Sequence, residues 1–143
     1  MNTTAVSEEA RTFSWLLNGF VEKTTGVTDA VAVSSDGLLM AMSSSLDRAN
    51  AEQLAAIISG LVSLGNGASS CFGFEGLEQV IVTMRRGFLF VSAISDGSCL
   101  GVVSQRGCDI GLVGYQTTLL VERAGTVLSP ELVAELKQEM LVS

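Results

Sequence analysis

The sequence predicts an α+β fold, an α/β sandwich in which a five-stranded antiparallel sheet carries helices on both faces. Three observations carry this prediction. Asp36-Gly37 and Asp96-Gly97 each join two short apolar runs, and Asp-Gly tolerates the positive φ that a tight hairpin turn requires. The apolar runs fall into a pair and a group of three linked only by turns, so neighbouring strands run antiparallel. Segments with apolar residues at helical spacing lie before, between and after these groups, which supplies helices for both faces of one sheet.

The elements follow in order. Ser7 with Glu8 and Glu9 opens a first helix, an N-cap with carboxylates in the first turn where the helix dipole favours them. Phe13, Leu16, Leu17, Phe20 and Val21 form its core stripe, and Gly26 reads as its stop. Residues 27–34 and 38–44 form the hairpin. A second helix runs from Asp47 to about Leu64, with Gly65-Asn66-Gly67 as its stop. Residues 77–103 form a three-stranded meander that turns at Arg86-Gly87 and Asp96-Gly97. A third helix spans 109 to about 123 and stops at Gly125. Ser129-Pro130-Glu131, an N-cap with proline at the first helical position, opens a last helix with Leu132, Val133, Leu136 and Met140 on one side. The chain reads as a single domain over residues 1–143, with 129–142 as an extra C-terminal helix.

Composition excludes several function classes. Only 16% of the 143 residues are charged, and the net charge is -7, from eight Lys+Arg against fifteen Asp+Glu. Phosphate neutralisation needs clustered cations, so neither nucleic acid nor an anionic membrane surface is an expected partner. Histidine is absent, which removes imidazole as base, as partner of a nucleophile and as metal ligand. Cys71, Cys99 and Cys108 are odd in number and lack C-x-x-C spacing, so reduced thiols are expected rather than disulfides or zinc. Residues 1–9 are polar and acidic, and no stretch is read as approaching a membrane span, so the expected location is the cytoplasm without membrane insertion.

The second helix is the most informative segment. At about 100° per residue, Leu64, Ile57, Leu61, Leu54, Ile58, Ala51, Val62 and Ala55 spread over roughly 180°, wider than the stripe that packing on one sheet requires. The rest of its surface is mostly small: Arg48, Ala49, Glu52, Gln53, Ala56, Ser59, Gly60 and Ser63. Small side chains let another backbone approach closely, so the helix fits both its own sheet and a second subunit; a core helix covered by its own loops is the plainer reading. Strand 77–86 points the same way. Val80, Val82 and Met84 face one side and Ile81 the other, and its place at the start of the meander makes it a candidate edge. An apolar edge invites pairing, and pairing with its twin across a two-fold axis would cover it.

Other motifs take structural readings. Gly107, Gly111 and Gly114 surround a helix start, but no P-loop or dinucleotide fingerprint is present and Asp109 repels phosphate there; they are read as close helix-to-sheet packing. Asp36 and Asp96 sit in turns, and Asp47 and Asp109 at N-caps, while Glu75 and Glu78 flank the meander without a second acid at a catalytic spacing. Cys99 lies inside a strand as an inert thiol; Cys108 precedes a helix whose dipole the adjacent Asp109 offsets. Arg85-Arg86 is a solvated corner. No catalytic residue, cofactor or metal is expected.

Taken in order, Val31-Ala32-Val33-Ser34-Ser35-Asp36-Gly37-Leu38-Leu39, the long weakly charged second helix, and Gly97-Ser98-Cys99-Leu100-Gly101 followed by Asp109-Ile110-Gly111-Leu112-Val113 resemble the Roadblock family, named after a dynein light chain. The resemblance covers residues 7–128. It implies a Roadblock/profilin-like sandwich with the second helix on one face and the first and third on the other. It also implies a homodimer built on the second helices and strand 77–86, with Ala49, Gln53, Ala56, Ile57, Gly60, Leu64, Val80 and Val82 at the interface. Family members are noncatalytic regulators or adaptors, often of Ras-like small GTPases, and some bacterial ones assist GTP hydrolysis by their partner. The short form with a terminal helix is similar to members encoded beside a sensor kinase-like protein and a small GTPase in filamentous actinobacteria. Exposed positions Arg48, Glu52, Ser59 and Ser63 form the expected platform for such a partner. The reading from a different class is a small-ligand sensor with a pocket between sheet and helices.

Overall fold

The computed structural model describes residues 6–142; the first five residues of the polar N-terminal segment, and Ser143, lie outside the described residues. Helix α1 spans Glu8–Lys23, followed by strands β1 (Val27–Val33) and β2 (Leu39–Met42), and helix α2 (Arg48–Phe72). The meander is β3 (Gln79–Met84), β4 (Gly87–Ala93) and β5 (Cys99–Gln105), and helices α3 (Ile110–Val127) and α4 (Pro130–Val142) complete the chain. All strand pairs are antiparallel in the order β2-β1-β5-β4-β3, so β2 and β3 are the edges. The five-stranded sheet with helices on both faces is the predicted architecture.

The pleat divides the core into two layers. Ala30, Ala32, Phe88, Phe90, Leu100 and Val102 face α1 and α3, meeting Phe13, Leu17, Val113 and Leu120. Alternate residues Val31, Val33, Leu89, Val91 and Cys99 face α2, where Ala51, Ala55 and Ile58 are fully covered. Gly101 sets the depth of α2 on the sheet, because a Cβ there would overlap Ile58 Cδ1 and press on Val31 Cγ2 at 3.2 Å. Gly101→Val is expected to lower stability by roughly 2 kcal/mol through overpacking. Urea unfolding checks this, and in an Ile58→Ala background the same substitution costs less, as a coupled pair requires.

The predicted caps are in place. Ser7 Oγ accepts from Ala10 N–H at 3.1 Å, Asp47 Oδ1 from Asn50 N–H at 2.8 Å, Asp109 Oδ1 from Leu112 N–H at 3.1 Å and Ser129 Oγ from Leu132 N–H at 3.1 Å. Both Asp-Gly turns close alike, with Ser34 N–H donating to Leu38 O and Ile94 N–H to Ser98 O, each at 2.8 Å. Gly37 and Gly97 supply the positive φ, 86° and 92°.

Several glycine readings are corrected. Helix α2 does not stop at Gly65-Asn66-Gly67 but continues to Phe72, where Gly73 takes the left-handed cap conformation at φ 68°. Gly65 instead makes room: a Cβ there would stand 2.9 Å from both terminal carbons of Leu77, and Asn66 Oδ1 accepts Leu77 N–H at 3.0 Å. Helix α1 ends at Lys23 with Thr24 as its cap, and Gly26, φ 94°, serves the turn into β1. Helix α3 passes through Gly125, where a Cβ would stand 3.0 Å from Ser95 Oγ, and ends at Val127 before Pro130. Gly107 and Gly114 are not packing glycines, since an added Cβ would meet nothing within 4 Å, and at Gly111 it would meet only Asp109 at 3.4 Å.

The last helix packs on its own sheet. Leu132 and Leu136 join the layer under α1, whereas Met140 packs against the α2 layer, so α4 passes round the sheet margin at β2. Lys137 Nζ lies 3.2 Å from Asp36 Oδ2. The Ser34 hydroxyl first, then Lys137, hold the Asp36 carboxyl below the usual aspartate range. At the helix's other side Glu135 accepts Ser7 N–H at 3.0 Å.

Candidate interaction surface

The long helix α2 has one face on the sheet and one face open. Ala51, Ala55 and Ile58 are buried, whereas Ala49, Gln53, Ala56, Ile57, Gly60 and Leu64 are exposed along a continuous stripe. Ile57 is 48% and Leu64 75% accessible. Beyond Leu64 the stripe continues through Gly67, Ala68 and Cys71 to Phe72, which stacks on Phe74 with ring centroids 5.6 Å apart. This apolar character has a further consequence. Contrary to the sequence reading, one segment is long and apolar enough to cross a membrane by length and composition: an 18-residue window of α2 has mean hydropathy 1.4, and only 17% of it is buried.

Strand β3 borders that stripe. Val80 and Val82 are half-buried beneath α2, while Ile81 and Met84 are 47% and 45% exposed. Ala93 N–H donates to Glu78 O at 2.9 Å, which sets the even-numbered backbone groups toward β4 and turns those of Gln79, Ile81 and Thr83 outward. Leu77 over Gly65 joins strand and helix, so the six predicted interface positions on α2 and the pair Val80 and Val82 lie on neighbouring elements.

The four expected platform residues lie along one face of α2, Arg48 and Glu52 at its start and Ser59 and Ser63 about two turns beyond Glu52. Arg48 Nη1 donates to Met140 O at 2.5 Å and lies 3.7 Å from Glu52 Oε2, so this pair sits where α2 begins and α4 ends. The guanidinium thereby meets the negative end of the α4 dipole. Ser59 and Ser63 stand further along α2, in a groove beside Ser35, Asp36 and Gly97 of the two Asp-Gly turns. Sequence reasoning missed the tie between Arg48 and a carbonyl 92 residues away. The sequence does hold a glycine at the true end of α2, Gly73, but nothing local distinguishes it from Gly65 and Gly67.

Among the described residues no three of His, Cys, Asp or Glu are grouped to hold a metal ion, and no buried side-chain polar atom lacks a hydrogen-bond partner. Burial, and secondarily the charge of Asp96, push the Cys99 thiol up, which keeps it protonated. Arg106 lies over Phe88 and donates to Met84 O at 2.9 Å, beside the Arg85-Arg86 turn.

Comparisons with known proteins agree with this architecture. The sequence profile of the Roadblock/LC7 domain matches residues 13–104. A Roadblock/LC7 domain structure from Streptomyces avermitilis is 38% identical, with a TM-score of 0.73, over 78% of this chain and 92% of that one. A further Streptomyces avermitilis structure of this domain is 34% identical, with a TM-score of 0.64, over 82% and 99%. Myxococcus xanthus MglB, at 13% identity, shares the fold, with a TM-score of 0.75 over 81% and 94%. No curated protein gave a significant match. The profile match and the two actinobacterial domains above 30% identity establish that the chain belongs to the Roadblock/LC7 family.

Proposed function

We propose that the chain is a homodimeric, noncatalytic regulator or adaptor of a Ras-like small GTPase in a cytoplasmic signalling assembly, with a sensor kinase-like protein as a further partner. The observation that carries this is the exposed apolar stripe of α2 beside the open strand β3, in a Roadblock/LC7 fold. A stripe with Ile57 and Leu64 exposed needs cover, and small residues at Ala49, Ala56 and Gly60 suit a second helix at close range. Arg48 and Glu52, with Ser59 and Ser63 further along the helix, are proposed for the GTPase. Arg48 also holds the last turn of α4, so that part of the platform includes the C-terminal helix. The three cysteines are unpaired, in keeping with a reducing compartment.

The sensor reading finds less support, because Phe90, Leu17, Met40, Ile58 and Leu100 fill the space between sheet and helices. Titration calorimetry separates the two. Ras-like small GTPases from the same genome, loaded with GDP or a non-hydrolysable GTP analogue, are expected to include one that binds with a preference for one nucleotide state. The chain alone is expected to give no heat with GTP and magnesium, since it lacks the lysine and glycine cradle that hold triphosphate. Binding to none of them in either state, with a melting shift on adding a small metabolite, would reverse the choice.

A further inference from the structure

We infer that the charges flanking β3 select a second copy of this chain, in an antiparallel register centred on Val82, as the strand's partner. The inference rests on the homodimer reading and adds its register and its selectivity. Acidic Glu75 and Glu78 precede the strand, Arg85 and Arg86 follow it, and all four side chains are exposed. Among the described residues none of the four is in an ion pair. Arg106 adds a third cation at the same end, held there by Met84 O, in a chain with eight cations and a net charge of -7. The strand is therefore negative at its start and positive at its end. Parallel self-pairing would place like charges together, whereas antiparallel self-pairing places each acid opposite a basic turn.

Backbone geometry narrows the register. Only Gln79, Ile81 and Thr83 turn their N–H and C=O groups outward, and a two-fold axis normal to the sheet must pair residues that share a face. Centring on Ile81 sets Glu78 opposite the partner's apolar Met84. Centring on Val82 sets Val80 opposite Met84, Val82 opposite its twin, and Ile81 opposite Thr83, with Glu78 facing the Arg85-Arg86 turn. Both faces are then matched, and α2 of each copy stays on the same side of the joined sheet. A related chain with other charges at these positions would be rejected by like-charge contact.

The test is a charge exchange read by sedimentation at low ionic strength. Glu78→Arg in one chain, and Arg85→Glu with Arg86→Glu in another, are each expected to raise the homodimer Kd by roughly tenfold or more, because like charges then oppose at two symmetric sites. An equimolar mixture of the two is expected to regain wild-type affinity as a heterodimer. In a Cys71→Ser background, Val82→Cys is expected to cross-link on oxidation and Ile81→Cys not to, since a directly opposed non-hydrogen-bonded pair brings the Cα atoms to about 4.5 Å, within disulfide reach. Variants that dimerise alone as tightly as wild type, a mixture that is not rescued, or cross-linking through Ile81→Cys in place of Val82→Cys would overturn the inference while the dimer stands. A monomeric wild-type chain at 100-fold the concentration of a typical micromolar complex, on the order of 0.1 mM, would instead remove the homodimer reading and this inference with it.

Discussion

Gly60→Arg is expected to convert the protein to a folded monomer. The position is exposed on the free face of α2, and a Cβ added there meets nothing of its own chain within 4 Å. The fold has no reason to object: arginine is the better helix former, by about 0.8 kcal/mol in an exposed helix interior. At a close helix-to-helix contact the same guanidinium would be desolvated without a partner, a penalty of several kcal/mol that corresponds to a rise of about 100-fold or more in dimer Kd. Light scattering should report the monomer mass, and the concentration dependence of the melting temperature should vanish. Retention of the dimer mass would place the interface elsewhere than this stripe.

Truncation before Ser129 should produce the largest loss of stability. It removes Leu132 and Leu136, each 4% exposed, together with Met140 against α2. Two buried leucines contribute about 4 kcal/mol by apolar area alone, a large part of a typical domain's 5–15 kcal/mol. The melting temperature is expected to fall by roughly 10 °C. The polar ties add less, because the Lys137 and Asp36 side chains are partly exposed and such pairs are screened. Leu136→Ala serves as the milder variant, with an expected cost of about 2 kcal/mol, at the low end for a buried leucine. An unchanged melting temperature in both would mean that α4 is not part of the folded core.

Elements with a local cause were legible in the sequence. Ser7, Asp47, Asp109 and Ser129 cap helices through contacts three residues away, and Asp36-Gly37 and Asp96-Gly97 turn the chain within five residues. The glycines misled because glycine answers two needs, a left-handed φ or a close approach, and the sequence carries no sign of which. Gly65 and Gly125 lie inside helices where another segment comes close, Leu77 in one case and Ser95 in the other, and neither neighbour can be found from local spacing. The candidate surface divides likewise. Its small and apolar stripe on α2 follows from helical periodicity, whereas the tie of Arg48 to Met140 O depends on where α4 ends, set by packing across the whole sheet.

The route of α4 round β2 gives the sheet an unequal pair of ends, one occupied by the chain's own helix and one open. Under the proposed pairing of β3 with its twin, such a unit is what polymer chemistry calls monofunctional: joining two would use up every reactive end, and growth would terminate at the pair. Releasing α4 from β2 would make the unit bifunctional, able to propagate end to end into a fibre of indefinite length. Helix α4 would then act as a chain terminator carried in cis, and the burial of Leu132 and Leu136, more than the ties of Arg48 to Met140 O and of Lys137 to Asp36, would set how often it lets go.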